Sequence, residues 1–236
     1  MFENRSLDTM LGWLYPDGEL PLTVLPPGSS PYFDGLRPDM ANPSGSGAAV
    51  LVTPAVANSR VPDPDPQETF VNVTEQIFGP PLAPMHGFVL NYETTDTSDA
   101  SQVMQCHGTA QLPVLSQLAR AYAVSDAWFA PVPNQTWPNR AFAHAGTSNG
   151  HVDNSQSVPG DELSKLPDPF KWDVRTIYNV LDELGLPWAV YHDTTLVSSL
   201  TRASLPKLWD ESLSSHFHHF YMDASRLPRE IVCAGG

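Results

Sequence analysis

Leu112-Pro113-Val114-Leu115-Ser116-Gln117-Leu118-Ala119-Arg120-Ala121-Tyr122-Ala123-Val124-Ser125-Asp126-Ala127-Trp128-Phe129 is the stretch from which the fold class is read. Pro113 suits the first turn of a helix, where its missing N–H removes no intrahelical bond. Val114, Leu115, Leu118, Ala119 and Tyr122 then recur near helical spacing. Ala123 to Phe129 reads as a short buried strand that runs into a proline-rich loop. The same order returns downstream. Ile177, Val180, Leu181 and Leu184 form an i, i+3, i+4, i+7 stripe, and Gly185 stands where a left-handed cap is wanted. Pro187 to Tyr191 follows as a strand. Helix followed by strand, twice, predicts an α/β architecture with helices packed on a mainly parallel sheet.

Upstream the texture differs. Of 24 prolines in 236 residues, many fall between Pro16 and Pro84, in runs such as Leu25-Pro26-Pro27-Gly28 and Pro62-Asp63-Pro64-Asp65-Pro66. Proline fixes φ and removes a donor, so this region is predicted to be a long loop with little regular structure. Interleaved Phe33, Leu36, Phe70, Ile77 and Phe88 supply the apolar anchors that a disordered linker lacks.

Composition excludes more than it identifies. A hydrophobic content of 41% is enough for a sizeable core, and a formal charge of −14 repels a polyphosphate backbone, so nucleic acid is not an expected partner. Cys106 and Cys233 are too few for a disulfide framework or a thiolate metal site. No run of about 18 apolar residues predicts a membrane span, and no basic-then-apolar start reads as a signal peptide.

Two segments carry groups suited to chemistry. Glu3-Asn4-Arg5-Ser6-Leu7-Asp8 offers a carboxylate and an amide oxygen side by side, the hard donors that a divalent cation takes. In Pro131-Val132-Pro133-Asn134-Gln135-Thr136-Trp137-Pro138-Asn139-Arg140, the hydroxyl of Thr136 stands among groups able to hold a phosphate. Arg140 brings a permanently charged planar fork and Asn139 an amide donor. Threonine is a weak nucleophile unless a metal or base activates it, which links this loop to Glu3 and Asn4. His216, His218 and His219 form a further cluster, able to contact phosphate or protonate a leaving alkoxide, or to be a plain surface patch. His86 and His144 read as structural, Asp126 as a brace for the Thr136 loop. Gly146-Thr147-Ser148-Asn149-Gly150 fits the Gly-x-Ser-x-Gly pattern of a serine hydrolase, though without an evident strand-turn-helix setting.

Several blocks together resemble the bacterial phosphoesterase family, which contains phospholipases C and acid phosphatases. They are Glu3-Asn4-Arg5-Ser6, Gln76-Ile77-Phe78-Gly79, Met85-His86-Gly87-Phe88-Val89, Leu112-Pro113-Val114-Leu115 and, above all, Val124 to Gly150. The resemblance implies a partial alkaline-phosphatase-like α/β/α sandwich over residues 1–228. It also implies a divalent metal of unknown identity on Glu3, Asn4 and Thr136, with Thr136 as nucleophile. His218 and His219 are the remaining candidate catalytic residues, and the implied substrate is a small phosphoester or a phospholipid head group. Family members are commonly exported, which leaves the location of this chain open.

Three departures qualify the resemblance. Only Met1-Phe2 precede Glu3 where the family has a strand. A family histidine near the Asp-Pro segment is replaced in Asp65-Pro66-Gln67-Glu68. Residues 229–236 do not follow the family's continuation into further metal ligands. The expectation is therefore an enzyme impaired by truncation, with a catalytically inactive or binding-only remnant as the alternative.

Overall fold

The computed structural model of the protein describes residues 5–15, 19–54, 62–79, 84–153, 173–192, 206–208 and 210–219. It falls into two units, Met1–Thr136 and Trp137–Gly236.

In the first unit, helix α1 (Leu7–Leu11) starts at Ser6, whose hydroxyl accepts the Thr9 N–H at 3.1 Å. Its apolar residues meet helix α4 (Pro113–Ala121). Leu11, Leu14 and Ala119 are buried together, with Leu7, Met10, Tyr15, Phe33, Leu115 and Val124 packed around them. Between these helices the chain forms an antiparallel hairpin, β1 (Ala41–Pro43) with β2 (Ala49–Leu51), and Gly47 supplies the positive φ of +82° in its turn. Helices α2 (Phe70–Phe78) and α3 (Phe88–Tyr92) follow. Gly87 precedes α3 because a Cβ there would collide with the Glu75 carbonyl oxygen of α2.

Buried Asn42 ties the hairpin to α3. Its Oδ1 accepts the Phe88 N–H at 2.9 Å, and its Nδ2 donates to the Met85 carbonyl at 3.1 Å. Asn42→Ala strips both partners of a buried bond, so chemical denaturation should show a loss of about 2 kcal/mol. An unchanged midpoint would mean that water replaces the side chain without cost.

In the second unit, helix α5 (Thr136–Ala145), whose first residue closes the first unit, buries Ala141 against Leu208 and Leu213. Trp137, Val174, Tyr178, Trp188 and Phe217 complete this core. Helix α6 (Ile177–Glu183) opens with a reciprocal capping box between Thr176 and Asn179, and Gly185 beyond it has φ +64°. Strand β3 (Val190–His192) pairs in parallel with β4 (Phe217–His219), in the register Val190↔Phe217, Tyr191↔His218, His192↔His219.

The protein is thus mixed α/β with small sheets, and four expectations need correction. Among the described residues there are two two-stranded sheets, one of them antiparallel, rather than a mainly parallel sheet. The predicted helix at Pro113 is present, but Val114, Leu118 and Tyr122 face outward while Leu115, Ser116 and Ala119 turn inward. Ala123 to Phe129 is irregular, with Trp128 and Phe129 exposed. Its polar side chains bind backbone instead: Ser125 Oγ accepts the Ala127 N–H, and Asp126 Oδ2 accepts the Asp34 N–H at 2.8 Å. Such bonds compete with a strand ladder. Asp126 therefore braces a loop, but the one at Asp34 and not the one that bears Thr136. The proline-rich region is largely irregular as expected, though it also holds the β1–β2 hairpin and α2.

Candidate active site

Thr136 is the first residue of α5 and is half-buried. The turn before it is set locally. Val132 is buried, its carbonyl accepts the Asn134 N–H at 2.8 Å, and the Asn134 side-chain oxygen accepts the Gln135 N–H at 2.6 Å. Pro138 is fully buried two residues into the helix, where proline costs no intrahelical bond. The hydroxyl of Thr136 thus sits at the positive end of a ten-residue helix, where the backbone dipoles favour a developing negative charge. One turn on, the Arg140 guanidinium lies 5.3 Å from the centroid of the Trp137 ring.

The Asp-Pro segment comes beside this loop. Gln135 Nε2 donates to Glu68 Oε1 at 3.1 Å, across 67 residues of sequence. That neighbour of the candidate nucleophile went unnoticed in the sequence, because neither residue belongs to a periodic pattern.

Arg5, Asp8 and Thr9 meet Cys106 and His107. The His107 N–H donates to the Thr9 carbonyl at 2.8 Å. Burial, then the charge of Asp34, raises the Asp8 carboxyl above its ordinary range. Burial pushes the Cys106 thiol up to about 12, with Asp8 adding to the rise and a bond to Thr9 opposing it, so this thiol is no thiolate nucleophile at neutral pH. Burial, then Arg5, lowers His107, whose Nδ1 has no hydrogen-bond partner among the described residues.

The histidine cluster divides. His216 stacks on Trp188 with centroids 4.1 Å apart, places Nδ1 2.9 Å from the Trp188 carbonyl, and has Nε2 3.4 Å from Asp182 Oδ1. These contacts hold it half-buried against Trp188 at the edge of the second core. His218 is exposed on β4 and stacks on its register partner Tyr191 at 5.2 Å. His219 ends β4 next to it. His144 Nδ1 meets the Tyr178 hydroxyl at 3.1 Å, in keeping with a structural role. Ser148 is 4% exposed and follows the helix α5 rather than a strand, which removes the nucleophile-elbow reading.

Thr136 is therefore the last residue of the first unit, and His218 and His219 belong to the second. Glu3 and Asn4 lie outside the described residues. Among the described residues, no group of three or more His, Cys, Asp or Glu side chains is placed to hold a metal ion, and no helix is long and apolar enough to cross a membrane.

Comparison with known proteins gives these residues a setting. The Phosphoesterase family profile matches residues 1–231. Non-specific phospholipase C3 of Arabidopsis thaliana is 30% identical over 249 residues, which cover 97% of this chain and 41% of that protein. Non-specific phospholipase C1 of the same plant is 33% identical over 197 residues, covering 81% of this chain and 33% of that protein. For non-specific phospholipase C4 the identity is 30% over 232 residues, covering 92% and 38%. The chain spans about two-fifths or less of the length of these curated relatives. With the profile running through both units and through the Thr136 loop, the chain belongs to the Phosphoesterase family.

Proposed function

We propose that the protein hydrolyses phosphate esters in a metal-dependent reaction with Thr136 as nucleophile, in the manner of a phospholipase C or an acid phosphatase. The observation that supports this most is the placing of Thr136: a hydroxyl at the N-terminus of α5, on a turn stiffened by Pro131 and Pro133, within the matched family region. The finer architecture that goes with this reading is an alkaline-phosphatase-like α/β/α layer arrangement.

In the reaction, Thr136 gives up its hydroxyl proton to solvent and its Oγ1 forms a bond to phosphorus in line with the departing alcohol, whose P–O bond breaks. The leaving alkoxide takes up a proton from solvent or from a general acid, the role proposed for His218 or His219. Water then cleaves the bond between phosphorus and Thr136, releasing phosphate or a phosphomonoester and restoring the hydroxyl. The N-terminal dipole of α5, Asn139 and Arg140 favour the negative charge of the non-bridging oxygens.

The donor set fits a hard divalent cation, since Glu3, Asn4 and Thr136 contribute a carboxylate, an amide and a hydroxyl oxygen. Held by these three residues, such a metal would lower the hydroxyl pKa of Thr136 and offset charge on the phosphate. The substrate is a small phosphoester or the phosphodiester of a phospholipid head group, in line with the phospholipase names of the relatives.

Chelation should abolish hydrolysis of p-nitrophenyl phosphate, and added divalent metal should restore it. A serine-directed fluorophosphonate should leave the rate alone, while Glu3→Gln should raise the metal concentration needed for half-maximal rate. Turnover that survives exhaustive chelation would overturn the metal-dependent reading.

A further inference from the structure

Glu68 stands in a corner built by side chains far apart in sequence. Thr69 caps α2 through its hydroxyl, which accepts the Asn72 N–H. The Gln67 carbonyl accepts from Gln76 Nε2 at 2.8 Å, and Gln76 Nε2 also reaches buried Asn91 at 2.8 Å. Just upstream, the Tyr92 hydroxyl donates to the Pro64 carbonyl at 2.7 Å, and Gln102 Oε1 accepts the Asp63 N–H at 3.0 Å. The segment is thus pinned to α2 and α3, and it presents the exposed carboxylate of Glu68 to Gln135 at 3.1 Å.

Gln135 immediately precedes Thr136. An extended glutamine side chain, that hydrogen bond and one Cα step together limit the distance from the carboxylate to the Thr136 Cα to about 12 Å. This is within the Debye length of about 30 Å at 0.01 M salt and well beyond the 3 Å at 1 M. A fixed negative charge at that range acts on substrates in proportion to their own charge. A phosphomonoester carries between one and two negative charges at neutral pH, because its second pKa is about 6, and a phosphodiester carries one.

Resting on Thr136 as the attacking residue, we propose that Glu68 is a specificity-determining residue, whose carboxylate, tied beside the nucleophile through Gln135, disfavours phosphomonoesters relative to phosphodiesters. The effect is a difference in affinity between two charge states, produced by a repulsive group.

The test compares kcat/KM of the chain for p-nitrophenyl phosphate and bis(p-nitrophenyl) phosphate, which share a leaving group, in saturating divalent metal and 10 mM salt. Glu68→Gln keeps an oxygen acceptor for Gln135 and removes only the charge. It should raise the diester value about twofold and the monoester value about fourfold, since a carboxylate beside water about 12 Å away acts weakly and the Coulomb term doubles with substrate charge. Glu68→Lys should carry the ratio further in the same direction, Glu68→Asp should keep the wild-type ratio, and 1 M salt should bring all four proteins together. Binding of inorganic phosphate and dimethyl phosphate, measured by calorimetry, reads the same ratio without turnover. A ratio that is unchanged through Gln and Lys, or parallel losses on both substrates that track thermal stability, would overturn the proposal. Thr136→Ala in the same series separates the two readings. Turnover that survives it sinks the nucleophile assignment and this inference with it, whereas its loss together with a flat Glu68 series sinks only the inference.

Discussion

Thr136→Ala should lower kcat/KM for p-nitrophenyl phosphate by at least about a thousandfold, because a displaced nucleophile leaves positioning without bond formation. The substitution is a clean one. Thr136 is half-buried at the start of α5, where alanine is an excellent helix former, so the turn through Val132, Asn134 and Gln135 has no reason to move. Thermal unfolding of the variant should stay within a few degrees of the parent. Thr136→Ser returns a hydroxyl to the same place and should recover part of the rate. Retention of more than about a tenth of the parent turnover would remove Thr136 from the chemistry, since true nucleophiles cost orders of magnitude.

Leu14→Ala should have the largest effect on stability, about 3 kcal/mol within the 2 to 5 kcal/mol common for leucine truncation in a core. Leu14 has no exposed surface, and it lies where Leu11 and Ala119 join α1 to α4. Relaxation into the space is hindered, because the Leu14 carbonyl is held by Arg120, which is also paired with Glu19 and lies 4.9 Å from the centroid of the Tyr15 ring. The cavity therefore persists, and its lining loses dispersion contacts on one side. The proposed metal ligands Glu3 and Asn4 stand before α1 in sequence with only Arg5 and Ser6 between, so on that proposal apparent metal affinity should fall in the same variant. Denaturant titration giving a loss under 1 kcal/mol would show that the α1–α4 seam repacks. A stability loss with unchanged metal affinity would separate the seam from the ligands.

Local signals were the ones legible without coordinates. Pro113 starts α4 and Gly185 follows α6 because an N1 proline and a left-handed cap act within a single turn and need no distant partner. Family membership was legible for a related reason: the blocks from Glu3 to Gly150 appear in order, and the profile spans residues 1–231. The Thr136 loop likewise stood out, as a hydroxyl among residue types suited to hold a phosphate, the role proposed for it.

What the sequence left open or read wrongly depends on partners far along the chain. Whether Ala123–Phe129 becomes a strand is decided by the groups that reach it, and Asp126 spends its carboxylate on Asp34, 92 positions away. Close spacing made His216 and His218 look alike, yet Trp188, 28 residues upstream, holds His216 half-buried against its ring while His218 stays exposed on β4. The meeting of Glu68 with Gln135 across 67 residues, and of Asp8 and Thr9 with Cys106 and His107, is invisible to any periodicity. By itself the sequence determined the start of α4, the glycine stop after α6, the acidic charge and the family, because each depends on residue type and near neighbours. Only the tertiary structure decided which polar groups are buried, paired or set beside Thr136, because burial and hydrogen bonding are properties of what surrounds a side chain, and the surroundings come from elsewhere in the chain.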